Sequence, residues 1–478
     1  MDTIMDNRIS PYAATNILLA LITRLIAPAS TILLLAYIAY YGFLSPLSGI
    51  PGPFIARFTR LWLAYHGWKG DFHIVLTEVH EKYGTTVRVG PDEVLTLSPD
   101  AIKKIYGAGS LFNKSDFYAP LKGTRTWDLF AEGDSIVHRN NRRSVNHVYA
   151  TSSLIDLEPY VDSAIQHFVS ILRTKEGKSF DFDVIGEVTF SQRFGLMETG
   201  EESESLKIIK RAARSGSWVG HIPWVYRIHQ RLSPLIGNHL ALNARSGAIR
   251  DFTLQQAQSR IKRGSDHRDM LSKLIELHGQ NPAEVDNTVV ISMATSNVFA
   301  GSDTTAVALR SIFYHLLKNL GCLKKLLNEI NDVVGDIDID KPVTYEQANK
   351  MPYLQAVMNE ANRIHPVVAQ SLPRIVPEGG LQVEGHSLPA GTIIGSSPYV
   401  LGRSEHIYGQ DAKMFRPERW LEGDRSQLLS GFLAFGGTSR MCLGKNLVWI
   451  EVSKVVPTIL RNFVINFADT DVEWKLQS

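Results

Sequence analysis

The chain has 478 residues, of which 44% are hydrophobic and 21% are charged. This balance is typical of a large globular protein and supplies enough apolar side chains for an extensive core. The 50 basic and 48 acidic side chains leave a formal net charge of only +2. The basic residues form no cluster along the sequence, so composition argues against nucleic acid as a partner.

The N-terminal segment contains an uncharged apolar run from Leu25 to Leu44. About 20 such residues in a helix are long enough to cross the hydrocarbon core of a bilayer. Arg57 and Arg60 follow the run, and basic residues on that side place the rest of the chain in the cytosol. We therefore predict a membrane anchor over residues 1–49. A cleaved signal peptide is the alternative, but the run is long for one.

The remainder, residues 50–478, reads as one continuous folded unit that begins with a stiff proline-containing segment, Ile50–Pro53. Most of its pattern is helical. Four short runs predict strands in two separate regions: Thr86–Val89 and Glu93–Leu97, then Leu381–Val383 and Thr392–Ser396. The predicted fold class is therefore mainly α with small β-sheets.

A long helix is predicted from Asn287 to about Leu317, and it carries no charge as far as Ser302. Such a helix spans about 45 Å and, being apolar on all sides, should be buried in the domain. Asp303 and Thr304 lie near its middle. A hydroxyl beside a carboxylate can pass protons to a ligand bound against the helix. A loosely packed helix whose aspartate is hydrogen-bonded within the protein would give the same sequence pattern.

A charged pair, Glu360 and Arg363, lies in a second predicted helix. Residues three apart share one helix face and can form an ion pair. The helix ends at Pro366, and another charged segment follows at Phe415–Trp420. Ion pairs of this spacing are usually solvated, so the pair alone indicates little about function.

The two cysteines, Cys322 and Cys442, are too few for a secreted disulfide-bonded protein and favour a reducing compartment. Cys322 lies in a helical pattern that predicts a small buried hydrophobe. Cys442 instead lies near the end of a loop of small residues, Phe435–Gly444. An apolar helical pattern follows this loop. Backbone N–H groups and the dipole at a helix N-terminus stabilise a thiolate, and Arg440 adds positive charge. Such a thiolate suits a haem iron that must cleave an O–O bond, whereas a redox-active thiol lacks a CxxC partner.

Taken together and in this order, these segments resemble the cytochrome P450 family. The resemblance runs from Ile50 to the C-terminus, and the segments IPGPFIARFTRLW and RIHPVV resemble pisatin-demethylase-like enzymes of filamentous fungi. It implies the cytochrome P450 fold, preceded by one transmembrane helix. It also implies a haem-thiolate monooxygenase that inserts one oxygen atom of O2 into a hydrophobic small molecule, in biosynthesis or detoxification of fungal secondary metabolites.

The resemblance also assigns roles to individual residues. Cys442 would be the axial ligand of the iron in heme b, with Phe435 packed beside the ligand loop. Thr304 and Asp303 would deliver protons to bound dioxygen. Four residues would hold the haem propionates: Arg440, Arg374, His138 and Arg142. Three would form a structural ion-pair triad that positions the loop: Glu360, Arg363 and Arg419. The walls of an apolar substrate pocket are expected to include Phe117, Tyr118, Phe299, Ala300 and Val368–Leu372.

The resemblance further implies partners and a location. Only 36 residues follow Cys442, too few for a flavin or nicotinamide domain, so electrons are expected from NADPH through a separate NADPH-cytochrome P450 reductase. The protein would cross the endoplasmic reticulum membrane once, with its catalytic domain facing the cytosol.

Four features depart from the family pattern. His138 stands where many members have tryptophan, and Asn362 replaces a usual apolar residue between Glu360 and Arg363. Thr438 stands where a glycine is usual, and the stretch after Leu460 is short for the hairpin that closes the pocket. Two alternatives therefore stay open. One is a haem-binding protein without monooxygenase activity, and the other is a haem-thiolate isomerase that needs no reductase. Asp303 and Thr304 argue against the isomerase, which has little use for a proton relay.

Overall fold

The computed structural model describes residues 22–174, 188–191, 193, 204–242, 247–264, 268–335 and 338–467. Helices form most of this part of the chain, and two small sheets form the rest, which confirms the predicted fold class. The α-helices of eight residues or more are Ala27–Ala39, Leu61–Lys69, Phe72–Tyr83, Pro99–Tyr106, Ser135–Val145, Glu158–Thr174, Glu204–Val219, Pro223–Ile236, Ala248–Arg263, Met270–Gln280, Asn287–Lys318, Leu320–Val334, Pro352–Ile364 and Lys445–Asn462. The shorter ones are Ala119–Lys122, Thr151–Leu154, Tyr345–Asn349, Pro398–Leu401, Glu405–Tyr408, Arg419–Glu422 and Arg425–Ser430.

The strands are β1 (Thr86–Arg88), β2 (Glu93–Thr96), β3 (Asn113–Lys114), β4 (Arg374–Ile375), β5 (Leu381–Val383), β6 (His386–Leu388) and β7 (Ile393–Gly395). One sheet has the order β1-β2-β7-β4-β3, and β5 and β6 form a separate hairpin. β2 and β7 are parallel, with Val94 opposite Ile394. The four predicted strands are present, but the two β regions are not separate: β7 joins the sheet begun by β1 and β2.

The helix Asn287–Lys318, called the central helix below, confirms the helix predicted from the uncharged run. It begins at the N-cap Asp286, whose carboxylate accepts a hydrogen bond from the N–H of Val289 at 2.9 Å. The central helix packs against Ala248–Arg263, Pro352–Ile364 and Lys445–Asn462. The last of these is called the C-terminal helix below. The largest buried apolar cluster lies around these two helices.

The N-terminal part is helical from Ile22 to Leu44, with a π-helical turn at each end. Its segment Ala27–Leu44 is long and apolar enough to cross a membrane and is almost wholly exposed. The end of this helix is fastened to the domain by two arginines. Arg88, which is fully buried, donates to the carbonyl of Tyr41 at 3.0 Å, and Arg57 donates to that of Gly42 at 3.1 Å.

Candidate active site

The loop Phe435–Gly444 holds Cys442 just before the C-terminal helix. The N–H of Cys442 donates to the carbonyl of Phe435 at 2.8 Å, which closes the loop. Gly436 has a φ of 77°, in the region that favours glycine. A Cβ added to Gly437 would lie 2.2 Å from the Cβ of Tyr106, so this part of the loop can pack on Tyr106 only if it has no side chain.

Thr438, which replaces a usual glycine, does not distort the loop. It begins a single 3₁₀ turn, Thr438–Arg440, and its side chain is exposed. Positive φ angles at non-glycine residues in the described part of the chain occur at Ser191, Ala241 and Glu384, not at Thr438. The loop therefore has no conformational need for glycine at this position.

The electrostatic surroundings of Cys442 are mixed. Burial raises the pKa of the Cys442 thiol, whereas the N–H groups of Gly444 and Lys445 and the charge of Arg142 lower it. Burial has the larger effect on the pKa of the thiol, while the backbone N–H groups at the helix N-terminus act in the expected direction. The thiol loses its proton when a metal cation binds the sulfur, because coordination deprotonates a thiol outright. Although Cys442 lies deep among protein atoms, its side chain remains accessible to solvent.

Basic side chains converge beside this loop, and they include all four predicted propionate ligands. We call Arg440, Arg374, Arg142, His138 and Lys114 the cationic group. Burial, followed by the charges of the four other members, lowers the pKa of His138 to about 3. Burial and the neighbouring Arg374 lower the pKa of Arg440 to about 10. Four permanent positive charges thus act on His138, and Arg374 and Arg440 repel each other. A bound dianion would relieve that repulsion.

Neutral oxygen atoms hold two of these arginines in place. Arg440 donates to the carbonyls of Glu132 at 2.5 Å and Gly133 at 2.7 Å. Arg374 is 4% exposed and donates to the Tyr118 hydroxyl at 3.1 Å. These hydrogen bonds fix the direction of each guanidinium but supply no negative charge. The arrangement suits an anionic ligand with two carboxylates.

The predicted triad is assembled in a fully buried position. Glu360 Oε1 lies 2.7 Å from Arg363 Nη2 and 2.9 Å from Arg419 Nε, and Glu360 Oε2 accepts from Trp420 Nε1 at 2.9 Å. Burial alone would raise the pKa of Glu360, but the two guanidinium groups hold it below its ordinary value. Arg363 also donates to three backbone carbonyls: those of Gly402, Ala412 and Met414. The triad therefore fixes the chain segment that leads into the cysteine loop.

The central helix is accessible to solvent at the turn that carries Asp303 and Thr304. Ala294 and Ala308 are buried on either side, whereas Ala300 is exposed and Asp303 and Thr304 are half-buried. The Thr304 hydroxyl donates to the carbonyl of Ala300 at 2.7 Å. No hydrogen bond among the described residues joins Asp303 to Thr304. Both side chains are partly accessible to solvent.

These features together fit haem. The C-terminal helix packs against the central helix, yet Cys442, just before the first, and Ala300, within the second, are both exposed. Cys442 offers one sulfur ligand. The cationic group suits two propionates, and the surrounding core is apolar.

The structure also shows contacts that the sequence did not reveal. Tyr118 was expected in the wall of the substrate pocket, but its hydroxyl contacts Arg374 of the cationic group. Phe117 packs against His221, with ring centres 4.9 Å apart. Lys114 was not predicted as a site residue, because one lysine near a loop gives no periodicity or motif.

Comparison with known proteins agrees with this geometry. The family model described as Cytochrome P450 matches residues 50–478. A cytochrome P450 monooxygenase of Aspergillus oryzae is 35% identical, with 92% of each chain covered. One of Emericella nidulans is 35% identical over 90% of this chain and 91% of the relative. Pisatin demethylase of Fusarium vanettenii is 33% identical over 92% and 88%. The family implies haem and electrons from a reductase, and the chain is a monooxygenase that belongs to the cytochrome P450 family.

Proposed function

We propose that Cys442 is the axial thiolate of a haem-dependent oxygenase that inserts one atom of O2 into a hydrophobic small molecule of secondary metabolism. The observation that carries the proposal is the position of Cys442, accessible to solvent and next to Arg142 of the cationic group. When bound, haem supplies the activation of dioxygen, for which a thiolate ligand is suited. The protein supplies the ligand, the protons and an apolar enclosure.

The residues of the cationic group would hold the haem by its propionates. Arg440 and Arg374 are directed by their carbonyl and hydroxyl contacts, and Arg142 is held against the loop by the carbonyl of Met441. His138 is neutral at physiological pH and can donate a single hydrogen bond. Phe435 packs edge to face on Trp449 of the C-terminal helix, with ring centres 5.9 Å apart. This contact joins the loop to that helix.

Thr304 and Asp303 would supply the protons that the activation of dioxygen requires. The Thr304 hydroxyl donates to the carbonyl of Ala300 but is only half-buried, so it can instead donate to a ligand bound against the helix. The Asp303 carboxylate can take up a replacement proton from water. This pair favours oxygenation over isomerisation, which consumes no protons from the protein.

The redox partner and the location follow from the family and the N-terminal helix. The electrons would come from NADPH through a separate reductase. The segment 1–49 would anchor the enzyme in the endoplasmic reticulum membrane by a single span, and the catalytic domain, 50–478, would face the cytosol. Two arginines join the end of this helix to the domain, so the anchor and the domain would be oriented together.

The test is the carbon-monoxide difference spectrum of reduced microsomes that contain the full-length chain. A red-shifted thiolate-type band is expected in the wild type and should disappear in Cys442→Ala. Cys322→Ala is the matched control, because Cys322 is half-buried against the main apolar cluster and should leave the band unchanged. Folded wild-type protein without the band would refute the proposal. A band accompanied by product formation without NADPH would instead support the isomerase.

A further inference from the structure

Tyr149 lies between the C-terminal helix and the central helix and is hydrogen-bonded to both. It ends the 3₁₀ turn Asn146–Tyr149 and is 3% exposed. Its hydroxyl donates to Oδ1 of Asn297 on the central helix at 2.7 Å. Its backbone carbonyl accepts a hydrogen bond from Nδ2 of Asn446, on the first turn of the C-terminal helix, at 3.0 Å. One residue therefore joins the helix that follows the cysteine loop to the central helix.

The Tyr149 hydroxyl is the contact that holds the Asn297 amide. Nδ2 of Asn297 is buried and has no hydrogen-bond partner among the residues that the structure describes. Burial raises the pKa of Tyr149, so its hydroxyl keeps its proton and remains a donor at physiological pH. A buried acceptor left without a donor is costly, so the tyrosine and the amide should stay together.

Asn297 lies on the same face of the central helix as Thr304. Seven residues separate them, which in an α-helix is almost two full turns and a rise of about 10 Å. Seven residues beyond Thr304, the hydroxyl of Ser311 donates to the carbonyl of Ala361 at 3.2 Å. Ala361 belongs to the helix Pro352–Ile364, which carries two members of the ion-pair triad. The central helix is thus hydrogen-bonded to neighbouring elements two turns before and two turns after Thr304.

These two contacts restrain a turn that is less buried than its surroundings. Ala300 is exposed and Thr304 is half-buried, whereas the stretches on either side are largely buried. Through Tyr149, the first contact connects this turn to the helix that begins beside Cys442. A misplacement of about 1 Å at a reacting group can cost up to about 100-fold in rate, so such a restraint matters for the chemistry.

We infer that Tyr149 is a positioning residue for proton delivery. Its hydrogen bond to Asn297 holds the central helix, and with it the Thr304 hydroxyl, in one place relative to the iron ligand. The inference rests on the proposed function, in which Cys442 binds the iron and Thr304 delivers protons. Because Tyr149 acts through the central helix, its loss should displace the Thr304 hydroxyl without removing it.

The experiment measures the infrared C–O stretch of carbon monoxide bound to the reduced, haem-loaded, full-length protein. This frequency responds to polar groups near the bound molecule, and therefore to the place of the Thr304 hydroxyl. Tyr149→Phe, which removes only the bridging hydroxyl, should keep the haem and the thiolate-type band but shift or split the C–O stretch. Asn297→Leu removes the acceptor instead and should do the same, which keeps the test available if Tyr149→Phe loses haem.

Tyr353→Phe is the matched control. Tyr353 is also buried, and its hydroxyl donates to Glu418 at 2.9 Å, but it lies on the helix Pro352–Ile364 and not beside Asn297. Its variant should leave the C–O stretch unchanged. Hydrogen peroxide formed per NADPH should rise about threefold or more in Tyr149→Phe but not in the control, because a displaced hydroxyl delivers protons less well.

A second pair of variants shows whether Tyr149 acts through Thr304. In the Thr304→Ala background the hydroxyl is absent, so Tyr149→Phe should cause no further shift of the C–O stretch. The double variant Tyr149→Phe/Asn297→Leu should shift it no more than either single change, since both changes remove the same hydrogen bond.

Three results would overturn the inference. One is a Tyr149→Phe protein whose C–O stretch and peroxide yield match those of the wild type. Another is a shift caused by Tyr149→Phe that is as large in Thr304→Ala as in the wild type. The third is an equal shift in Tyr353→Phe, which would show that the loss of any buried hydrogen bond suffices. A wild type without the thiolate-type band would refute the proposed function itself, and the carbon-monoxide difference spectrum detects that case separately.

Discussion

The guanidinium of Arg142 donates a hydrogen bond to the carbonyl of Met441, the residue directly before Cys442. This contact ties the helix Ser135–Val145 to the cysteine loop across 299 residues of sequence. It also sets a positive charge near the sulfur. Burial lowers the pKa of Arg142, and the charge of Cys442 opposes that change, so thiolate and guanidinium stabilise each other.

Replacement of Arg142 by methionine should therefore make the thiolate easier to protonate. With the cation removed, the pKa of the Cys442 sulfur rises, and the thiolate-type carbon-monoxide band should be lost at a higher pH during acid titration. Arg139→Met is the control, because Arg139 is exposed on the same helix. Identical titrations of Arg142→Met and the wild type would show that the contact has no electrostatic role.

Glu360→Gln should destabilise the protein by about 3–5 kcal/mol, because the buried Arg363 loses its carboxylate partner and the buried Arg419 keeps only Asp411. The folded pKa of Glu360 lies below its unfolded value of about 4.3. Its contribution to stability is therefore complete above that pH and is lost as the pH falls through the folded pKa.

Chemical denaturation at several pH values measures both effects. The wild type should lose stability steeply below about pH 4.3, and Glu360→Gln should lack that component. Glu346→Gln, which breaks an exposed pair with Lys350, should match the wild type throughout. Equal destabilisation by the two variants would contradict the special role of the triad.

Thr304→Ala should uncouple electron consumption from oxygenation. Product formed per NADPH should fall at least about tenfold, with a matching rise in hydrogen peroxide, because the hydroxyl that donates protons is absent. Thr304→Ser should retain most of the coupling. The neighbouring Thr305 offers a contrast: its hydroxyl is buried and has no partner among the described residues. Thr305→Val should keep wild-type coupling and stability within about 1 kcal/mol.

Haem content should depend on the side chain at one of two adjacent loop positions but not at the other. Gly437→Ala brings a Cβ to within 2.4 Å of the Tyr106 carbonyl oxygen, so the loop must shift and haem content should fall several-fold. Thr438→Gly removes an exposed side chain from an unstrained position and should leave haem content unchanged. The ratio of haem to protein in purified samples measures both. Equal loss in the two variants would show that the loop tolerates neither change.

The sequence predicts best those features whose signals are local. The uncharged run predicts the central helix almost to its ends, because apolar composition and helical length are both visible in one segment. The loop of small residues before an apolar helix likewise indicates Cys442 as a candidate ligand. The spacing of Glu360 and Arg363 predicts a shared helix face, and the structure shows the pair at 2.7 Å.

Features that depend on distant partners could not be predicted in this way. Nothing within residues 86–97 or 392–396 indicates that β2 pairs with β7, because each strand is only three or four residues long. The direction of the pKa shift at Cys442 depends on burial, which the sequence of the loop does not reveal. Lys114 is recognised as part of the cationic group only when β3 brings it opposite Arg374.

The pairing of Val94 with Ile394 has a consequence for biosynthesis, since 300 residues separate the two. Strands β1 and β2 leave the ribosome long before β7 exists, so the sheet that supports Arg374 cannot close until most of the chain has been made. Contacts of such high sequence separation form slowly and expose strand edges meanwhile. We expect haem capture to be a late event, and the nascent N-terminal half to depend on chaperones until β7 arrives.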